Sequence, residues 1–209
     1  MKKILKIRVL TAVCLIILSL FSAGCGQKAI DTASRVELAK DGTIKAVMTS
    51  RFDKDYYDQD ELKSSIEMAV DEYNTKNGAR RIELKEIRRI DEAVEAVMYY
   101  RTATDYASFN NVTFFAGPVT EGLEKDSLPE SLALYPAEEG GETVTAADLG
   151  AEKNPGSFLV FMEPVRVKVP GKIRYLSEGL TVDEEGYVTV SADKAAGSTL
   201  NSLVYVIYK

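Results

Sequence analysis

The residues with the most obvious chemistry lie between Asp53 and Glu61. There Asp53, Asp55, Asp58, Asp60 and Glu61 place five carboxylates within nine residues. Carboxylates at that density can gather a hard cation such as calcium, which takes oxygen ligands. The spacing is not that of an EF-hand: no glycine stands at the turn position and no Glu at loop position twelve. The same residues also read as a helix start, where carboxylates accept from free backbone N–H groups and favour the positive dipole end. Sequence alone leaves cation binding and capping both open. Capping is the expectation, with no metal or cofactor assigned. Arg80-Arg81 and Arg88-Arg89 have the chemistry to clamp an anion bidentately. Glu83 and Glu86 between them point instead to a solvated, balanced strand. Tyr56, Tyr57, Tyr99, Tyr100 and Tyr106 have the rings for a stacking platform, but tyrosine is equally at home in a half-buried sheet.

Other chemistry is poorly supplied. Gly140-Gly141 has acidic flanks (Glu138, Glu139, Glu142) and no following Lys, so it reads as a surface turn and not a phosphate loop. Ser191 and Lys194 stand three apart, in what reads as a strand-end turn. There is no histidine anywhere, which removes Ser-His and Cys-His nucleophilic pairs and His-ligated metals. No catalytic residue is assigned, and the chain is not expected to be an enzyme.

The elements that must position these residues follow from periodicity. Val36 and Leu38, then Asp41-Gly42, then Ile44, Ala46 and Met48 read as a hairpin. Leu62, Ile66, Ala69, Val70 and Tyr73 fall on one helical face, with Asp58 as N-cap and Gly78 as the stop. Strands follow over 80–90 and 93–101, then a short helix over 102–110 and a buried strand over 112–116. Residues 117–156 carry many Pro and Gly and predict connecting segments, with one-turn helices near 120–125 and 145–149. From Ser157 onward, period-2 runs return. The count is eight to ten strands and two main helices. The expected fold is α+β, mostly antiparallel, with one long amphipathic helix and one short helix packed on a sheet face. Residues 35–209 read as one domain, in which 157–209 either extend that sheet or form a second one.

The first 24 residues have the form of a signal peptide. Lys2, Lys3, Lys6 and Arg8 precede a thirteen-residue apolar stretch, Val9 to Phe21. That is too short for a bilayer, which needs about 20 residues. Ser22-Ala23-Gly24 then leads to Cys25, which resembles a bacterial lipobox. The resemblance implies a diacylglycerol on the Cys25 sulfur and cleavage before Cys25, with residues 25–34 as a short tether. Cys14 lies inside the apolar stretch and leaves with it. Removing residues 1–24 takes away four cations and no anion, moving the net charge from −6 to about −10. An acidic domain is repelled by anionic lipid and by nucleic acid, so no nucleic-acid partner is expected.

Four further stretches resemble a group of small lipoproteins from Gram-positive anaerobes with no assigned activity. They are Phe52-Asp53-Lys54-Asp55-Tyr56-Tyr57-Asp58, Tyr106-Ala107-Ser108-Phe109-Asn110, Val169-Pro170-Gly171-Lys172-Ile173 and Tyr205-Val206-Ile207-Tyr208-Lys209. The resemblance implies a place on the outer face of the cell membrane and a single domain, and it carries no catalytic residues. The expectation is a lipid-anchored binding or interaction module, its partner an envelope protein or a small ligand. The alternative is a solute-capture lipoprotein serving a transporter. An envelope hydrolase would need a buried carboxylate or Ser-Lys pair lining a pocket.

Overall fold

Asp41-Gly42 makes the first turn. Gly42 takes φ +84, which is cheap without a Cβ, and Asp41 Oδ1 accepts from both the amide and the hydroxyl of Thr43. The turn joins β1 (Arg35–Leu38) to β2 (Ile44–Arg51), with Val36 opposite Ala46. The computed structural model describes residues 34–190 and 203–209. Cys25 and the Ser191–Lys194 stretch lie outside them.

Helix α1 (Gln59–Lys76) is started by Asp58, whose Oδ1 accepts from the amides of Asp60 and Glu61 at 2.7 and 3.1 Å. Gly78, at φ +65, follows its end. Ile66 and Val70 are buried, with Leu62 and Tyr73 packed beside them. Strands β3 (Ile82–Ile90) and β4 (Ala93–Tyr100) form the next hairpin. Thr102 caps α2 (Ala103–Asn110), which leads to β5 (Phe114–Pro118).

Residues 117–156, read from sequence as connections with one-turn helices near 120–125 and 145–149, hold both helices and two short strands besides. They contain α3 (Val119–Glu124), β6 (Ala133–Pro136), β7 (Val144–Thr145) and α4 (Ala146–Gly150). The remaining strands are β8 (Ser157–Phe161), β9 (Arg166–Lys168), β10 (Ile173–Leu176), β11 (Leu180–Val182), β12 (Val188–Val190) and β13 (Val204–Tyr208). The described residues thus hold thirteen strands, against eight to ten expected, and four helices, the two main ones and the two one-turn ones expected. The excess is short elements whose ladders are too brief to leave a period-2 signal.

The fold is α+β with two mostly antiparallel sheets. Sheet 1 has the order β11-β12-β9-β1-β2-β4-β3, and sheet 2 the order β5-β8-β13-β10-β6-β7. The parallel pair is β1 with β9. Residues 157–209 neither simply extend one sheet nor form their own. Of their strands, β9, β11 and β12 join sheet 1, while β8, β10 and β13 join sheet 2.

One core cluster joins the sheets. Val36, Ile44 and Met98 of sheet 1 share it with Leu159, Phe161 and Val206 of sheet 2, together with Tyr106 of α2. A second cluster covers the other face of sheet 2: Phe158, Val160 and Ile207 pack with Val119 and Leu149. Strands β8 and β13 are therefore buried on both faces. That is why Phe158–Phe161 and Val204–Tyr208 are nearly continuous apolar runs instead of alternating ones. Each fully buried Leu or Phe contributes roughly 1.5–3 kcal/mol, so these two strands anchor the fold. No helix among the described residues is long and apolar enough to cross a membrane.

Candidate functional site

The carboxylates of Asp53–Glu61 do not converge. Asp58 faces the start of α1, and Asp53 pairs with Arg51 at 2.7 Å and Lys54 at 3.6 Å. Among the described residues no three His, Cys, Asp or Glu side chains are grouped to hold a metal. The four arginines also separate. Arg80 meets Glu83 at 3.1 Å, and Arg81 approaches Asp105 at 3.6 Å. Arg89 lies over the Phe52 ring, 5.5 Å from its centroid. Arg88 finds Glu95 on the neighbouring strand instead of Glu86, donating from Nε and Nη2 to one oxygen at 2.8 and 2.6 Å. The tyrosines form no common platform. Tyr56 is exposed beside Tyr57, Tyr99 is exposed, and Tyr100 and Tyr106 are buried together with centroids 5.1 Å apart. Gly140 is an exposed turn residue at φ +82.

Three carboxyl groups are drawn inward, and sequence reading missed all three. Glu95 is 2% exposed and is held by Arg88, with Arg35 at 3.7 Å. Asp105 is 3% exposed and accepts from Thr102 Oγ1 at 2.7 Å and Tyr73 OH at 3.1 Å. Both are charges with partners, as burial requires.

Glu163 is different. It sits in the connection from β8 to β9, and the hydroxyl of the fully buried Tyr106 donates to its Oε2 at 2.7 Å. Among the described residues no Lys or Arg pairs with it. Burial pushes its carboxyl up to about 7, against the opposing pull of the Tyr106 donor. Burial, with the nearby Glu163 charge, also holds the Tyr106 phenol well above its ordinary range, so the proton between them stays on tyrosine. Glu163 can therefore exchange a proton near neutrality, the range in which a general acid or a pH-sensitive contact works. The local sequence Met-Glu-Pro gives no hint of this. The one available signal is its position between an apolar run, Phe158–Phe161, and an alternating one, Val165–Val169.

An open groove of about 420 Å³ runs between Glu67, Asp71 and Asn74 of α1 and Ile82, Glu83 and Leu84 of β3. Asn74 closes one end of the β3 edge: its Oδ1 accepts from the amides of Arg81 and Ile82, and its Nδ2 donates to the Ile82 carbonyl. One helix side chain thus satisfies backbone groups that an added strand would otherwise take.

No family model, curated protein or solved structure matches the chain.

Proposed function

We propose that the chain is an extracytoplasmic lipoprotein, anchored through a diacylglycerol on Cys25, whose folded domain is a non-enzymatic binding or interaction module at the cell envelope. The observation that carries this reading is Cys25 itself, directly after Ser22-Ala23-Gly24 at the end of a basic-then-apolar leader. The start of the domain agrees with it. Ser34 already belongs to the fold, its Oγ accepting from the Thr49 amide at 3.0 Å. The nine residue-to-residue steps from Cys25 to Ser34 reach at most about 30 Å, which keeps the domain close to the membrane. At a net charge of about −10 the domain has no electrostatic attraction to anionic lipid, so the acyl chains supply attachment.

The core shared by the two sheets supports an interaction module over solute capture, which calls for two lobes flanking a cleft. In this reading α1 is an amphipathic brace. Its Leu62–Ile66–Val70–Tyr73 face closes the core, and Glu67 and Asp71 face outward for a partner.

The test is metabolic labelling with a fatty-acid analogue. The wild-type chain takes up label and fractionates with membranes. Cys25→Ser takes up none and accumulates as uncleaved precursor or released protein. Label persisting on Cys25→Ser refutes the anchor.

A further inference from the structure

The seam between the sheets holds a contact that lipid anchoring does not use. Because β8 belongs to sheet 2 and β9 to sheet 1, residues 162–165 are the crossover between them. Glu163 lies within that crossover. From α2 the group facing it is Tyr106, whose buried hydroxyl donates to Oε2. Tyr100 of β4 stands edge-on to Tyr106 and accepts from Asn110 Nδ2 at 3.2 Å. Phe114 of β5 packs against Tyr106 with centroids 4.8 Å apart, and Phe161 of β8 lies 6.5 Å beyond Phe114. The other acid on α2, Asp105, is turned to Thr102, Tyr73 and Arg81. Among the described residues the side chain hydrogen-bonded to Glu163 is thus the Tyr106 phenol, with the rings of Tyr100 and Phe114 behind it and no cation paired with it.

We propose that the Glu163–Tyr106 contact is a proton-controlled clasp on this seam: it holds the crossover closed while Glu163 carries its proton, and releases it when the carboxyl ionises. Glu163 is half-buried, and there an ionised carboxylate has one donor and no cation, so charge held with so little support is costly. The shortest route to water is to lift the crossover, not to unfold a sheet. Met162 and Pro164, on either side of Glu163, are already exposed, so only the glutamate side chain has to leave the seam. Release uncovers the Tyr106 hydroxyl, closed to solvent in the clasped form. The clasp makes no use of Cys25, so it stands or falls independently of the anchor.

The experiment is hydrogen exchange on the full-length chain in detergent micelles, followed at the amide of Arg166, which donates to the Ser34 carbonyl at 3.0 Å where the crossover ends, and corrected for intrinsic pH dependence. Between pH 5 and pH 8, protection of this amide should fall on the order of 50-fold. That is the change expected when a carboxyl titrating at about 7 in the closed form returns to about 4.5 on release. Glu163→Gln should keep it protected across the whole range. A carboxyl-carbon NMR titration of the wild-type chain provides the variant-free measurement. The clasp is excluded if the Glu163 carboxyl titrates in the ordinary carboxylate range, if wild-type protection does not change, or if Glu163→Gln shows the same loss as wild type.

Discussion

Glu163→Gln stabilises the protein at pH 8 by up to about 3 kcal/mol and leaves it unchanged at pH 4. The sign follows from proton counting. In the folded chain the Glu163 carboxyl titrates at about 7, above its ordinary 4.5. Between those two values the folded state holds a proton that the unfolded state has lost. Stability therefore falls as pH rises through that window: the full contribution is present below about 4.5 and is gone above about 7. Glutamine is neutral throughout and still offers Tyr106 an acceptor, so the variant loses this slope and keeps the contact. Urea unfolding at pH 4 and pH 8 measures both arms. Equal stability of the two proteins at pH 8 would mean that the carboxylate is already well solvated when charged.

Gly156→Ala destabilises the fold by about 3 kcal/mol. Gly156 stands just before β8 at φ +88, where an alanine loses roughly 1–2 kcal/mol to its Cβ. The added Cβ would also lie 2.5 Å from the Tyr208 carbonyl oxygen. That neighbour is backbone of β13, hydrogen-bonded into the centre of sheet 2, so it cannot swing aside as a side chain would. The Gly156 carbonyl meanwhile accepts from the Val119 amide at the start of α3, and a shift there would disturb that helix too. Thermal unfolding should show a drop of several degrees at least. An unchanged midpoint would place the β8–β13 end in a looser arrangement than the one described.

What sequence made legible was local. Asp41-Gly42 announces the β1–β2 hairpin because the turn geometry demands a residue free of Cβ. Asp58, three residues before Glu61, announces α1 because free amides demand an acceptor. The alternation of β4 put Val94, Ala96, Met98 and Tyr100 on one side, and Met98 and Tyr100 are indeed core residues. The same alternation sent Glu95 to the other side, where solvent would be expected. It is buried there because Arg88, its register partner across the β3–β4 hairpin, and Arg35 of β1, a strand far off in sequence, both reach it. The parallel pairing of β1 with β9 and the division of residues 157–209 between two sheets are likewise long-range choices without a local mark. Glu163 was missed for the same reason. Its partner Tyr106 is 57 positions away, and only the closed seam brings them together.

The central claim is that Cys25 anchors this domain outside the membrane, and the mass of the mature N-terminal peptide tests it most directly. The chain purified from membranes should yield a peptide beginning at Cys25 and carrying a diacylglyceryl group, with nothing from residues 1–24. A peptide that begins elsewhere, or one that begins at Cys25 with a free thiol, would contradict the claim and leave the two-sheet domain without its proposed address.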